Sequence, residues 1–436
     1  MAISLGEKIK LLRKEMKMTQ TDLAGNEMTK SMLSQIENNN AMPSMKNLQY
    51  LAARLGKPAS YFLEDGSYQD NLLVDEIHGK LKKVSSMIEN HKYSGAITYL
   101  EEIKDQYSLD KSSKLYADFL SKYGECLIEL EHYEEGKNYI SQAVAIFKNK
   151  YLYIDAAKTY QLLVGIPWKS FDYTKCLMII EEADVIYENS INKDYAFEIE
   201  TLYIRSILYA GLDRLEESIA VTLKALDISK QTKIYYKSDE LYKNMAILNL
   251  FMDRTDHFDE HLTKAKQFAE FSENLWGVAN IQGIYGMREN LMGNPKKALE
   301  YFIQAINSIG KGAPIIRSEM AMSYYTLGEY KKALEIINEI KDPEYTPFKF
   351  DYLIFWRYKT FEGLCLTKLG KHKEAKQAVL IGIEKMKIVG ETKTLAEAYR
   401  ALSEIYSETG DYENAFSALK TANKIDETAQ RNKLYY

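Results

Sequence analysis

A chain of 436 residues, with 46% hydrophobic and 27% charged residues, is globular and too long for one compact core. Seven prolines and 22 glycines disfavour a turn-rich all-β fold, and three cysteines cannot build a disulfide framework. No apolar run approaches the roughly 18 residues of a membrane span, and no signal peptide is expected ahead of the first helix, so a cytoplasmic protein without a membrane partner is expected. The net charge of −5 is unevenly distributed: residues 1–64 hold nine Lys/Arg and six Asp/Glu, and the remainder is acidic. Nucleic acid, if bound, is expected to meet this basic head.

Leu5, Ile9, Leu12 and Met16 recur at helical spacing and predict one apolar face. Thr19 can cap a second helix, with Asp22 three residues on, and Leu23 and Ala24 turn inward. After the turn Gly25-Asn26-Glu27, a third helix is predicted over about 29–37, with Met32, Leu33 and Ile36 inside and Lys30, Ser31, Ser34 and Gln35 outside. Pro43-Ser44 opens a fourth helix that buries Leu48, Leu51, Ala52 and Leu55 and stops at Gly56. A short fifth helix after Pro58 is expected to bury Tyr61, Phe62 and Leu63.

Five short helices with a tight turn between the second and third describe a helix-turn-helix. The run Met18-Thr19-Gln20, Leu23-Ala24, Leu33-Ser34-Gln35-Ile36-Glu37, Pro43-Ser44 and Leu51-Ala52 resembles the lambda-repressor-like, or Xre-type, DNA-binding domain. The resemblance implies that Gln20 grips a phosphate and that Thr29, Lys30, Ser31, Ser34 and Gln35 lie on or beside the helix facing the major groove. Such polar residues also form ordinary solvated helix faces. Arg13 is expected to pair with Glu37 instead.

From about residue 70 the chain reads as helix after helix, with a small residue recurring at 96, 136, 176, 218, near 261, and at 298, 333, 375 and 415. Most intervals are about 40 residues. Runs such as Gly328-Glu329-Tyr330…Ala333 and Gly410-Asp411-Tyr412…Ala415 resemble tetratricopeptide (TPR) helical pairs. No such pair buries its own face, so the pairs must stack. The fold expected is all-α: a head over 1–64, a short linker over 65–70, and a right-handed TPR superhelix of about nine pairs over 71–436.

Enzyme chemistry has no positive signal. His257-Phe258-Asp259-Glu260-His261 matches a five-residue zinc-protease pattern, but it lies at a repeat turn and lacks a third ligand. Gly310-Lys311-Gly312 lacks phosphate-loop spacing. Cys126, Cys176 and Cys365 fall near packing positions. The Tyr-Tyr pairs at 235, 324 and 435 suit repeat packing as readily as a ligand surface. No metal or cofactor is expected.

An Xre-type head joined to a TPR body resembles the RRNPP family of peptide-responsive regulators, the NprR and PlcR branch most closely. The resemblance implies a quorum-sensing transcription regulator that binds an operator as a homo-oligomer, dimer or tetramer, and is switched by a short imported peptide in the concave TPR channel. In this family inner-helix asparagines clamp the peptide backbone; an amide donates and accepts at once. The candidates here are Asn244, Asn249, Asn280 and Asn290. Arg205, Arg357 and Arg400 are candidates for a peptide carboxylate, and Tyr203 and Tyr325 for apolar pockets. A TPR surface that also binds a response regulator, and a ligand-free repressor dimerised by its repeats, are the alternative readings.

Overall fold

The computed structural model describes residues 5–25, 27–57, 62, 66–252, 254, 257–309, 313–342 and 348–431. The described residues are helical or connecting, with no strand among them. The chain divides into two compact units, Met1–Lys122 and Tyr123–Tyr436.

The first unit opens with helices Leu5–Glu15, Gln20–Ala24, Lys30–Glu37 and Met45–Arg54. Each of the last three starts on a hydroxyl cap. Thr19 accepts from the Asp22 amide while the Asp22 carboxylate accepts from the Thr19 amide, and Thr29 and Ser44 cap the next two helices. Ile9, Leu23, Leu33, Leu51 and Phe62 are fully buried at the centre. The first helix approaches so closely that a Cβ on Gly6 would lie 2.1 Å from the Ile36 carbonyl oxygen. Gly56, with φ +64°, follows the fourth helix as its stop.

Two expectations for this head change. Met32 is 37% exposed, and the inner face of its helix is Leu33, Ile36 and Glu37. Leu33 and Glu37 stack one turn apart, which turns Met32, one step of about 100° from Leu33, toward solvent. Met16 is also exposed, because the first helix ends at Glu15; Gly6 and Arg13 join Ile9 in the buried set. The helix Gly66–Glu89 begins inside the stretch expected as the linker 65–70. Tyr61, Leu63, Asn26 and Glu64-Asp65 lie outside the described residues, as do Gly310-Lys311-Gly312 and Tyr435-Tyr436.

Nine helical pairs follow among the described residues. Their second helices start at Tyr93, Tyr133, Tyr173, Leu215, Phe258, Pro295, Tyr330, His372 and Tyr412. The fourth residue of each is Ala96, Gly136, Cys176, Ser218, His261, Ala298, Ala333, Ala375 or Ala415. Eight of these nine are small and buried, which lets the two helices of a pair touch. At Gly136 the approach is closest to backbone contact: a Cβ there would sit 2.9 Å from the Gly124 carbonyl oxygen.

The exception is informative. In the fifth pair His261 takes the small-residue position, stacks on Tyr242 with ring centroids 6.2 Å apart, and meets the Asn249 side chain at 3.3 Å. A polar contact replaces the close apolar one there.

The turns repeat as strictly as the small residues. In eight pairs the residue two before the second helix is left-handed: His91, Glu131, Phe171 and Asp213 in the first four, Gly293, Gly328, Gly370 and Gly410 in the last four. The non-glycine residues carry a steric penalty of about 1 kcal/mol that the glycines avoid.

Candidate functional site

In the head, the outward side of Lys30–Glu37 presents Lys30, Ser31 and Gln35 exposed, with Ser34 half-buried. Thr29 is exposed, and its hydroxyl is committed as the cap, accepting from the Met32 amide at 3.1 Å. The helix is fixed from behind by a buried ion pair. Arg13 donates from Nε and Nη2 to the two Glu37 oxygens at 2.5 and 2.9 Å, and from Nη1 to the Met18 carbonyl at 2.9 Å. Gln20 donates to the same carboxylate at 2.9 Å. Burial alone would raise the Glu37 pKa; hydrogen bonds from Arg13 and Gln20 overcome it and hold the carboxyl below the usual range. Gln20 therefore ties the second helix to the third.

In the second unit, a cavity of about 260 Å³ opens along the first helices of three successive pairs. Tyr203 and Ile207 reach it from Tyr195–Gly211, Glu240, Lys243, Asn244 and Ile247 from Ser238–Phe251, and Trp276, Asn280, Ile284 and Met287 from Leu275–Leu291. Steps of three and four put each set on one helical stripe. The opposite wall comes from Pro314–Thr326 and from the start of Lys349–Trp356, including Phe348, Phe350, Asp351 and Ile354.

The lining is mostly apolar, with a charged floor. Tyr203 Oη donates to Glu240 Oε2 at 2.8 Å, and Lys243 Nζ meets the same oxygen at 2.6 Å. Burial pulls the Glu240 pKa upward, but Lys243 and Tyr203 outweigh it and keep the carboxylate ionised. Burial also acts against the Lys243 ammonium and is outweighed by Glu240. Asp351 differs. Burial pushes its carboxyl up to about 6, with Lys243 opposing and Glu240 reinforcing the rise. Among the described residues it has no hydrogen-bond or ion-pair partner.

The two cavity asparagines are spaced one repeat apart. Asn244 donates to Ser206 Oγ at 2.8 Å, leaving its amide oxygen uncommitted. Asn280 is exposed and makes no hydrogen bond among the described residues. Asn244, whose amide also donates to Thr222 Oγ1 at 3.4 Å, can accept from an extended backbone, and Asn280 can both accept and donate.

Tyr203, Asn244 and Asn280 are thus brought together, and the other candidates are placed elsewhere. Asn249 is 4% exposed and donates to the Met245 carbonyl at 2.7 Å. Asn290 is buried between helices, contacts Glu319 and accepts from Ser323 at 2.7 Å. Arg205 pairs with Asp184 at 2.5 Å, Arg357 with Glu397 at 2.7 Å, and Arg400 with Asp426. Tyr325 packs between Tyr330 and Phe361, with ring centroids 5.8 and 5.7 Å away. None of these six lines the cavity. Asp351, which lines the cavity without a hydrogen-bond partner among the described residues, carried no repeat motif. Its only sequence signal was an acid in the first turn of a helix, which is common at helix starts.

His257 and His261 sit at the start of Phe258–Phe271, their rings 6.1 Å apart. Among the described residues no three His, Cys, Asp or Glu are grouped to hold a metal. The three cysteines are buried, and burial raises the Cys176 and Cys365 thiols to about 12. No described helix is long and apolar enough to cross a membrane.

The helix-turn-helix domain family matches residues 6–65, and the tetratricopeptide repeat family matches residues 396–428. No curated protein matches the whole sequence significantly. Among solved structures, a Rap protein complexed with competence and sporulation factor superposes with a TM-score of 0.54 at 16% identity, over 82% of this chain and 99% of that one. Aspartyl phosphate phosphatase F from Bacillus subtilis gives 0.51 at 16% identity, over 80% and 94%. Bacillus thuringiensis PlcR, in complex with the peptide PapR7 and DNA, gives 0.43 at 20% identity, over 62% and 96%. The described residues form a helix-turn-helix domain followed by paired TPR-like helices, with a fold similar to that of the Rap protein.

Proposed function

We propose that the protein is a non-enzymatic, cytoplasmic transcription regulator, binding operator DNA through its head and a short signalling peptide in its TPR cavity. One observation carries the peptide reading: one repeat apart and beside an apolar wall, Asn244 offers its amide oxygen and Asn280 its whole amide group. An extended peptide has unpaired N–H and C=O groups at regular intervals and needs such partners when it leaves water. The apolar wall supplies the area for its side chains. In the head, Lys30, Ser31 and Gln35 form a polar face whose orientation Arg13, Glu37 and Gln20 fix, which suits readout in a major groove. Paired heads on a two-fold homo-oligomer would read two half-sites about one DNA turn apart. The ligand shifts DNA binding only if it prefers one conformation of the body.

Native mass spectrometry of the purified protein, with and without peptides encoded beside its gene, tests this reading. A bound peptide with a change of oligomer supports it. Replacing Asn244 and Asn280 together by Ala should then weaken peptide binding and leave DNA binding without peptide intact. No bound peptide and an unchanged dimer would favour a ligand-free DNA-binding protein.

A further inference from the structure

We propose that the cavity selects peptides with a cationic group, amino terminus or basic side chain, that pairs with Asp351 while apolar neighbours occupy the aromatic wall. This rests on the peptide reading above and specifies its ligand. Among the described residues, the charged groups lining the cavity are Glu240, Lys243 and Asp351, one more negative than positive. Lys243 is already engaged by Glu240 at 2.6 Å, and Glu240 also accepts from Tyr203 at 2.8 Å. Asp351 is left facing the cavity with no hydrogen bond or ion pair among the described residues.

A carboxylate lined by Phe348, Phe350 and Ile354 lacks the solvation it would have in water, and a cation arriving with a ligand restores it. The same arrangement disfavours an acidic ligand. Arg205, Arg357 and Arg400 are all paired away from the cavity, so a ligand carboxylate finds no uncommitted cation among the described residues of the wall.

Asp351 is also held in place. The neighbouring Lys349 amide donates to Tyr173 Oη and the Lys349 ammonium to the Gly211 carbonyl, both at 2.9 Å. A helix-dipole role accounts for an acid in a first helical turn; it does not account for that acid facing a cavity three repeats away in sequence. The carboxyl pKa is raised mainly by desolvation of a half-buried acid, and a bound cation would bring it down.

The test incubates the full-length protein with four pools of short random peptides, free or N-acetylated, each with or without Lys and Arg, and identifies retained peptides by mass spectrometry. Wild type should retain the acetylated pool lacking basic residues about tenfold less than at least one cationic pool. Comparing the two singly cationic pools tells whether the amino terminus or a side chain is the partner. In D351N the difference between pools should vanish while D351E keeps it. Equal retention of all four pools by wild type, or a preference for acidic peptides, overturns the cation assignment and leaves the peptide reading standing. Retention of no pool by a protein with a cooperative melt overturns both. Should D351N fail to fold, the wild-type ratio between pools still decides.

Discussion

The phenol oxygen of Tyr173 accepts a hydrogen bond from the backbone amide of Lys349 at 2.9 Å, across 176 positions of sequence. Aromatic contacts flank it: Trp168 meets Phe348 with ring centroids 5.4 Å apart, and Phe171 meets Tyr352 at 5.1 Å. The eighth pair is thereby pinned to the third, and that pin sets where Phe350 and Asp351 stand in the cavity. Tyr173→Phe keeps the ring and removes the acceptor, leaving a part-buried amide unpaired. The expected loss is about 1–3 kcal/mol in urea unfolding, with weaker peptide retention. Unchanged stability would mean that the aromatic contacts alone hold the helix.

Asp351 and Asp213 both have carboxyls raised to about 6, each mainly by burial. Lys243 and Glu240 act on the first, and Lys349 acts on the second. Unfolding returns each to about 3.9, so the folded state binds more protons between these values. Their stabilising contribution is complete below about pH 4 and is lost as pH rises through 6. D351N should therefore be more stable than wild type at pH 7 by about 1–3 kcal/mol, with the gap reduced to about half at pH 5 and closed only below about pH 4. Urea midpoints at the two pH values measure it; a gap independent of pH would show that Asp351 is not protonated in the folded state at pH 5.

Arg13→Ala strands the Glu37 carboxylate, which is 1% exposed, with Gln20 as its remaining side-chain hydrogen-bond partner among the described residues. Breaking one side of a buried pair costs about 3–5 kcal/mol, a large share of a small head's stability. The expected outcome is a separate low-temperature transition and loss of DNA binding. A melt identical to wild type would show that the head tolerates the unpaired acid.

Gln35→Ala removes an exposed side chain from the outward helix face without touching the core. If it reads a base, specific binding should fall by about 1–3 kcal/mol and base preference should relax at one position of each half-site. Binding selection on randomised DNA resolves this. An unchanged preference would place Gln35 off the bases.

The repeat turns and contacts predict opposite responses to glycine chemistry. Glu131 is exposed with φ +68°, so Glu131→Gly should stabilise by about 0.5–1 kcal/mol. Gly286 faces Phe302, and a Cβ would stand 2.4 Å from its ring. Phe302 is fully buried, so Gly286→Ala should cost about 1–3 kcal/mol. Thermal denaturation of the two variants gives both signs, and a destabilised Glu131→Gly would mean that its contacts outweigh the backbone relief.

The sequence by itself determined what repeats or caps locally. Thr19 and Ser44 begin helices because their hydroxyls satisfy free amides, and that chemistry needs only neighbours. Arg13 and Glu37 could be paired in advance because the resemblance to the Xre-type domain implies an acidic neighbour for Arg13. The small residues from Ala96 to Ala415 announced helical pairs, since close packing within a pair is a contact between adjacent elements. The inward choice of Met32 failed because a short helix fixes its face by what it packs on. Sorting Asn244 and Asn280 from Asn249 and Asn290 needed the same knowledge, because residues one or two steps apart on a helix point in different directions. Tertiary structure alone decided the cavity's charge. It withdrew Arg205, Arg357 and Arg400 into ion pairs and brought Asp351 beside Lys243, more than one hundred positions away. Where a distant repeat arrives depends on the accumulated rotation of every pair between, and no local pattern contains that sum.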